Sequence, residues 1–250
     1  VFIVNNCHQI YFVSKWVMNK FFEGLPFDYK NNCEILYPAI KSLKKFPKKK
    51  KIIIFTGKLN SSKGYDIFGK ATLKILNKFN DWKAYAIGNE RREVHSFKHK
   101  NYKILSWLPH DQILNFYKKS SISVVCSRWQ EPFGRTAMES AAFGCATITS
   151  DRGGLKETFK TNLILNKLNP SSLEKIIKKI IVDNKKLKLI QYKNFTNVIH
   201  EIDFLIEKMD KLKKNFLQKK INYIRNKNLK ILHIGNFDEK NDHRLFNISI

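Results

Sequence analysis

The sequence predicts an α/β fold, a Rossmann-like doubly wound parallel sheet. Short β-branched runs, of which KIIIFT at 51–56 is the clearest, are typical of buried parallel strands. These runs alternate with segments of about 10–15 residues whose apolar side chains recur at helical spacing, as βαβ units require. A chain of 250 residues with a hydrophobic fraction of 43% can bury the core that such a sheet needs.

Residues 1–45 make up the first part of the chain. They predict a strand, a helix near 14–22, a loop, and a short apolar run at 35–40. The stretch SLKKFPKKK that follows carries lysine and proline in place of apolar residues, and it is the best linker candidate. The chain begins at Val1 without a methionine, so we expect it to be part of a longer reading frame that continues at both ends.

Residues 46–199 carry the repeating strand–helix pattern and predict one domain. Asn169-Pro170 marks a helix start within it. The N–H group of the first helical residue has no acceptor in the helix, so proline, which has no N–H group, fits that position. Strands are expected at 51–56, 84–87, 102–105, 122–126, 146–149 and 163–165, and helices at 65–79, 110–118, after Gly134, at 171–182 and at 184–198.

The end of the chain changes character. Residues 200–227 predict one long amphipathic helix, whose stripe either packs on a domain or docks on a membrane surface with the help of flanking lysines. The apolar positions of this helix, spaced alternately by three and four, are Ile202, Leu205, Met209, Leu212 and Phe216. Residues 228–250 open with the run NLKILHI, which predicts the first strand of a further Rossmann-like domain.

The chain is strongly basic, with a formal net charge of +26. Nucleic acid, anionic lipid and anionic substrates could all exploit that charge. The lysines are dispersed, however, with one dense run at 48–51, and no nucleic-acid module with interleaved aromatic residues is visible. Lysine that simply fills surface positions is the plainest interpretation, and we predict no nucleic-acid partner.

Cysteine usage points to a reducing compartment. The four cysteines, Cys7, Cys33, Cys126 and Cys145, lack the spacing of a zinc site or of a disulfide framework. Cys126 and Cys145 lie in apolar runs and are expected in the core. The sequence contains no apolar run of the length that a transmembrane helix needs. The expected location is therefore cytoplasmic.

The loop after the strand at 51–56 reads GKLNSSKG. Gly57 permits a tight exit from the strand, and Lys58 and Lys63 can both reach an anion held near the strand ends, where doubly wound sheets bind their ligands. The spacing is not that of a P-loop. Surface lysines beside an ordinary turn would look the same, so this loop alone is a weak signal.

The loop after the strand at 122–126 carries the most specific pattern. Glu131 and Glu139 are eight positions apart, with Phe133-Gly134 between them, where a helix should begin. Backbone N–H groups at that helix start suit an anionic diphosphate. Glu131 can accept from sugar hydroxyls or stabilise positive charge that develops on an anomeric carbon, and Glu139 can accept from a ribose hydroxyl.

These motifs together resemble the C-terminal domain of retaining GT-B glycosyltransferases of glycosyltransferase family 4, also called group 1. The family's E-x7-E signature appears as Glu131 and Glu139, and FTGKLNSSKG matches its first donor loop. WLPHDQIL resembles its base-side turn and helix, and GCATI with the later GG pair matches its next strand and loop. The resemblance covers roughly 45–198 and includes four motifs in the right order.

The resemblance implies a domain organisation. Residues 1–45 would be the tail end of the N-terminal acceptor domain with its linker, and 46–199 would be the nucleotide-sugar donor-binding domain. The long helix at 200–227 and the further Rossmann-like domain at 228–250 would follow. Because most of the acceptor domain would precede Val1, we expect this chain alone to bind the donor and to be inactive.

Roles for individual residues also follow from the resemblance. Lys63, on the diphosphate, and Glu131, on the sugar, are the expected catalytic pair. Lys58 stands where an arginine is common, which keeps the charge but loses the planar fork. The donor-binding residues it implies are Gly57, Lys58, Lys63, Phe133, Gly134, Arg135, Thr136 and Glu139. Histidines such as His110 fall in polar stretches and are expected to be surface residues, not bases.

No cofactor or metal is expected beyond the nucleotide diphosphate sugar itself. In such enzymes lysines and helix amides compensate the diphosphate leaving group, and the sequence has no Asp-x-Asp element. The partners implied are a nucleotide sugar and a glycan or lipid-linked acceptor, with peripheral contact to an anionic membrane at its inner face.

The expected function is that of a hexosyltransferase-type enzyme that acts with retention in cell-envelope polysaccharide or lipopolysaccharide synthesis. A related GT-B activity, such as a sucrose-type synthase, is a second enzymatic interpretation. The alternative from another class is a basic nucleic-acid- or membrane-binding module with a degenerate donor site. The presence of Glu131, Glu139 and Lys63 argues against degeneracy.

Overall fold

The structure, a computed structural model, divides into two compact units. One unit comprises Ile40–Ile199, and the other joins Val1–Ala39 to His200–Ile250. The residues that the structure describes are 7, 9–23, 25, 32–160, 163–223 and 231–234, with the backbone alone for 216–223 and 231–234. We describe each unit separately.

The regular elements follow the order that the sequence predicts. In chain order the strands are β1 (Gln9–Phe12), β2 (Cys33–Ile35), β3 (Lys50–Thr56), β4 (Lys83–Ile87), β5 (Tyr102–Leu105), β6 (Ser120–Val125), β7 (Ala146–Ser150), β8 (Ile164–Leu165) and β9 (Ile231–Ile234). The α-helices are α1 (Lys15–Phe22), α2 (Tyr65–Lys78), α3 (His110–Lys119), α4 (Arg135–Ala142), α5 (Pro170–Val182), α6 (Asn184–Thr196) and α7 (Ile202–Tyr223).

The smaller unit holds a three-stranded parallel sheet in the order β2-β1-β9. The long helix α7 belongs to the same unit, where Lys208 Nζ lies 2.7 Å from the carbonyl oxygen of Ile35. Met209 is buried and Leu205 is partly buried, whereas Phe204 and Ile206 are exposed. The helix that the sequence predicts at 200–227 spans Ile202–Tyr223, and Met209 and Leu205 of its apolar stripe are turned inward.

The strand β9 pairs with β1, in register from Gln9↔Ile231 to Phe12↔Ile234. A further Rossmann-like domain was the prediction for 228–250. Most of that segment, 228–230 and 235–250, lies outside the described residues, and the described strand joins the sheet of β1. The prediction of a further domain, like the predicted roles of the other parts of the chain, stays a prediction.

The larger unit is built on a six-stranded parallel sheet in the order β5-β4-β3-β6-β7-β8. The chain starts in the middle at β3, proceeds to one edge, and returns to β6 on the other side of β3. Such a reversal of strand order is the place where doubly wound sheets open a ligand crevice. The predicted Rossmann-like doubly wound parallel sheet is confirmed.

The core of this unit lies between the sheet and its covering helices. Ile53, Ile122 and Ile148 of three neighbouring strands are completely buried, and Ile67 of α2 and Ile177 of α5 cover them. The continuous β-branched strand runs fill both faces of the sheet because helices cover both. Cys126 and Cys145 are also completely buried, as predicted.

A half-buried lysine from the predicted linker ties two helix ends together. Lys49 Nζ lies 2.9 Å from the carbonyl oxygen of Tyr117, in the last turn of α3, and 2.5 Å from that of Phe143, directly after α4. Desolvation lowers the pKa of Lys49. Carbonyl oxygens at helix C-termini carry the negative end of the helix dipole, so the ammonium group satisfies them well. One member of the lysine run is therefore structural.

None of the helices in the described part of the chain has the length and apolar character to cross a bilayer.

Replacing Lys49 by methionine keeps the apolar stem and removes the charged donor. We expect the free energy of unfolding to fall by about 1.5–3 kcal/mol, because two helix-end carbonyls lose a charged hydrogen-bond donor. Urea unfolding followed by circular dichroism measures the change. Lys48→Met is the matched control, since Lys48 is exposed, and should shift stability by less than about 0.5 kcal/mol. Equal effects of the two substitutions would contradict the capping role.

Candidate functional site

The loops that follow β3 and β6 are joined by backbone hydrogen bonds at the carboxyl edge of the sheet. The carbonyl oxygen of Ser62 accepts from the amides of Arg128 and Trp129, at 2.8 and 3.1 Å. Gly64 has a φ of +78°, and a Cβ there would lie 2.1 Å from the carbonyl oxygen of Cys126. A larger residue than glycine cannot fit, and the two loops form one continuous surface, as predicted.

A bidentate salt bridge reinforces this junction. Arg128 Nη1 and Nη2 lie 2.7 and 2.8 Å from the two carboxylate oxygens of Asp66, in the first turn of α2. Desolvation raises the pKa of Asp66, but the hydrogen bonds and charge of Arg128 outweigh it and hold that pKa below its usual value. No pattern in the sequence singles out Arg128. Its partner Asp66 follows the loop after β3, whereas Arg128 lies in the loop after β6.

Lys63 and Glu131 form a salt bridge across the joined loops. Lys63 Nζ is 2.6 Å from Glu131 Oε1, and the two side chains are 32% and 12% exposed. The short 3₁₀ turn Ser61–Lys63 places the lysine, since Asn60 Oδ1 accepts from the Lys63 amide at 3.0 Å. The two residues predicted as the catalytic pair are therefore within hydrogen-bonding distance of each other.

The GG pair at 153–154 fixes the backbone that carries Glu131. The Gly154 amide donates to the carbonyl oxygen of Glu131 at 2.7 Å. Gly153 has a φ of +60°, and a Cβ there would lie 2.2 Å from the same oxygen. The glycine pair therefore packs directly against the backbone of Glu131. This contact gives a physical reason for the GG motif, which in the sequence was only a match to the family pattern.

The helix α4 begins where the sequence predicts. Gly134 precedes it in the left-handed region with a φ of +102°, and its carbonyl accepts from the Ala137 amide. The first turn of a helix leaves N–H groups without a helical acceptor, so this end is suited to an anion. Phe133 is 3% exposed, so its side chain is packed in the interior. Thr136 is half-buried in the first turn.

Glu139 lies in a buried, hydrogen-bonded position on α4. Its side chain is 6% exposed, and its Oε1 lies 3.0 Å from His110 Nε2 and 3.5 Å from Arg135 Nη2. The hydrogen bond to Glu139 raises the pKa of His110.

Tyr117 is fully buried and bonds to Thr56 Oγ1. Burial, with the charge of Glu139, raises the pKa of Tyr117 well above its ordinary value.

His110 is exposed, as predicted, but its contact with Glu139 was missed. The histidine begins α3 and the glutamate lies on α4, and the two are 29 residues apart. The motif WLPHDQIL placed His110 near the base side of the donor but did not reveal its partner.

Lys58 is a predicted site residue that the structure leaves apart. Its side chain is exposed, and among the residues described it forms no salt bridge. Gly57 before it is held against β4, because its amide donates to the carbonyl oxygen of Ile87 at 3.0 Å. A Cβ on Gly88 would lie 1.8 Å from the Gly57 carbonyl oxygen, so the two strand exits are packed closely. The role of Lys58 stays a prediction.

A third loop, after β4, supports the lysine turn and was not predicted. Glu90 Oε2 accepts from Asn60 Nδ2 at 3.1 Å, and Glu93 Oε2 accepts from the Ser61 amide at 2.9 Å. Hydrogen bonds from Ser61 lower the pKa of Glu93. Loops from three neighbouring strands therefore hold the segment that ends at Lys63.

Metal ligands are not grouped in the part of the chain that the structure describes: no three His, Cys, Asp or Glu side chains come together there. The expectation of a metal-independent reaction stays a prediction.

Residues 38–196 match the family model described as Glycosyl transferases group 1. The chain belongs to this family. The match covers the whole doubly wound sheet, with both joined loops and Glu139. Among the curated relatives is "Putative glycosyltransferase YtcC" of Bacillus subtilis (strain 168), 29% identical over 54% of this chain and 37% of the relative. Another is "Uncharacterized 42.6 kDa protein in cps region" of Klebsiella pneumoniae, 36% identical over 41% of this chain and 27% of the relative.

The chain spans about a third of the length of the curated relatives it matches. Solved structures share its fold at low identity. A glycosyltransferase from Rickettsia africae ESF-5 is 20% identical with a TM-score of 0.70, over 86% of this chain and 65% of that one. Anabaena Alr3699/HepE, solved in complex with UDP and glucose, is 14% identical with a TM-score of 0.71, over 83% and 63%. The fold is that of the GT-B glycosyltransferases.

The contact with Glu139 predicts that the pKa of His110 depends on this carboxylate. Because the folded pKa of His110 is raised above its ordinary 6.5, the contact stabilises the fold below that pH and the stabilisation is lost as pH rises through the folded pKa. In Glu139→Gln the pKa of His110, measured by NMR titration of its ring, should fall toward the ordinary value. Asp111→Asn is the control and should lower it less, since that carboxylate acts only through its charge. An unchanged pKa in Glu139→Gln would contradict the contact.

Proposed function

We propose that this chain is part of an enzyme that transfers a sugar from a nucleotide diphosphate sugar to a glycan or lipid-linked acceptor with retention at the anomeric carbon. Its residues 40–199 bind the donor. The observation that carries this proposal is the 2.6 Å contact between Lys63 and Glu131 beside the start of α4, with Glu139 about one turn further along the same helix.

The diphosphate binds between Lys63 and the first turn of α4. The ammonium group and the helix N–H groups both favour negative charge, and both lie on the fixed surface of the joined loops. Their positive charge stabilises the diphosphate as it leaves the sugar, which is the step that an electrostatic site accelerates most. Arg135 and Lys58, both exposed, supply further positive charge without a metal ion.

The sugar lies beside Glu131, because the sugar is joined to the phosphate that Lys63 holds. As the bond to the diphosphate breaks, positive charge develops on the anomeric carbon, and a carboxylate near it lowers the energy of that state. The salt bridge with Lys63 orients Glu131 for this role. The diphosphate then competes with Glu131 for the same ammonium group.

The ribose is held by Glu139. A buried carboxylate is a strong acceptor for paired hydroxyl groups, since hydrogen bonds to charged groups are stronger than neutral ones. His110 and Arg135 keep this carboxylate oriented. The base then lies toward α3, where the resemblance places it.

The comparisons support this proposal at several points. The group 1 family membership supports sugar transfer, and a structural neighbour was solved with UDP and glucose. One relative is named a spore coat protein and another lies in a cps region, which favours an acceptor of the cell envelope. An enzyme that uses such acceptors would act on the cytoplasmic side, in peripheral contact with the membrane.

Nucleotide binding tests the donor site. We expect isothermal titration with uridine, guanosine, adenosine and thymidine diphosphates to find at least one ligand whose affinity falls about tenfold or more in Lys63→Ala. Glu139→Ala should cost about tenfold through the ribose, and Lys58→Ala less. Lys70→Ala, an exposed lysine of α2, is the matched control and should leave affinity unchanged.

The same titration separates the alternative function. A protein that binds none of the nucleotides, yet binds DNA tightly at physiological salt, would be a basic binding module, and the transferase proposal would fail.

A further inference from the structure

A cavity lies within the larger unit, on the α5–α6 side of the sheet. It has a volume of about 810 Å³ and opens between those two helices and the segment that follows β7. The apolar wall contains Phe159, Ile176, Ile180, Leu189 and Ile190. The predicted donor site uses none of these residues.

The cavity is lined by cations as well as by apolar groups. Its lysines are Lys156, Lys160, Lys179, Lys186 and Lys193, and its lining contains no aspartate or glutamate. Lys156 forms a salt bridge with Asp151 at 2.8 Å, and among the described residues the other four lysines have no carboxylate partner. The cavity therefore joins an apolar interior to a positively charged rim.

Amide side chains help to anchor α6 beside this cavity. Gln191 Nε2 donates to the carbonyl oxygen of Ser121 at 2.9 Å, and Asn194 Nδ2 donates to that of Cys145 at 2.7 Å. The helix is thus anchored partly by amide groups rather than by an apolar face alone. Leu189, in the cavity lining, is left 53% exposed, and Tyr192, outside that lining and beside the Phe46 ring, is 56% exposed.

The positions on α6 follow helical spacing. Lys186, Leu189, Ile190 and Lys193 recur at three and four residues and form one stripe along the cavity. Lys179 and Ile180 provide the corresponding wall on α5. Apolar side chains and lysines of α6 therefore face the same cavity.

We infer that this cavity binds an anionic phospholipid at a membrane surface, with part of an acyl chain against the apolar wall and the phosphate among the lysines. Charge complementarity selects this occupant. A free phosphate would make no use of the apolar wall, and a neutral lipid would leave four cations without a counter-charge. The exposed Leu189 and Tyr192, with the 68% exposed Val182 at the end of α5, would enter the interfacial layer beside the bound lipid.

Vesicle sedimentation with the full chain tests the inference. Vesicles of phosphatidylcholine with phosphatidylglycerol should bind the protein, and vesicles of phosphatidylcholine alone should not. Lys186→Glu/Lys193→Glu should weaken binding about tenfold or more. Lys70→Glu/Lys103→Glu, two exposed lysines elsewhere in the unit, makes the same change in net charge and should weaken binding by less than about twofold. Equal weakening by the two double variants would overturn the inference in favour of adsorption through net charge.

The apolar part of the inference has its own test. Leu189→Ser keeps the charge and should weaken vesicle binding about threefold. Val94→Ser is the matched control, because Val94 is 86% exposed on the loop after β4, and should have no effect. An unchanged affinity in Leu189→Ser would mean that no acyl chain enters the cavity.

Two further measurements distinguish a bound lipid from a phosphate site and from diffuse adsorption. Inorganic phosphate at millimolar concentration should not displace the protein from the vesicles; displacement would indicate a phosphate site instead. A diazirine-bearing phosphatidylglycerol should label peptides of α5 and α6, and labels spread over the surface would contradict the site.

Circular dichroism should show that each variant is folded. The nucleotide affinity of each variant should be unchanged, which separates this inference from the proposed donor site.

Discussion

The parallel pairing of β3 with β6 is the constraint on which the candidate site depends. These strands are far apart in sequence but adjacent in the sheet, with Ile53 opposite Ile122. The loops that leave their carboxyl ends meet, and the Ser62 carbonyl oxygen joins them through backbone hydrogen bonds. Backbone groups make this junction, and the salt bridge between Arg128 and Asp66 reinforces it. The glycines at 64 and 153 allow the required approach.

Charge in this protein is used in three different ways, which a net charge of +26 does not reveal. Lys49 is half-buried against helix-end carbonyl oxygens and stabilises the fold. Lys63 is paired with a carboxylate at the site, where an anionic ligand would compete for it. Lys186 and Lys193 are exposed along an apolar cavity that has no acid in its lining. The interpretation that lysine simply fills surface positions fails for Lys49, which bonds to two helix-end carbonyl oxygens, and the roles of Lys63, Lys186 and Lys193 are proposals.

The two glutamates of the signature are also held differently. Glu131 is paired with one ammonium group and sits on a loop whose backbone is packed against the glycine pair at 153–154. Glu139 is buried in a helix and has a histidine and an arginine beside it. The division of labour between them, in which the first carboxylate responds to charge on the sugar and the second accepts from the ribose, stays a proposal.

The sequence by itself determined the strand and helix order, the doubly wound sheet, the burial of Cys126 and the two loops that meet at the carboxyl edge. Local periodicity and turn chemistry carry that information, since neighbouring residues determine them. Only the tertiary structure decided which side chains touch. Lys63 and Glu131 are 68 residues apart and His110 and Glu139 are 29 apart, and no local pattern encodes a contact between separate loops. The cavity beside α6 could not be predicted from the sequence either, because its walls come from elements that meet only when the sheet has formed.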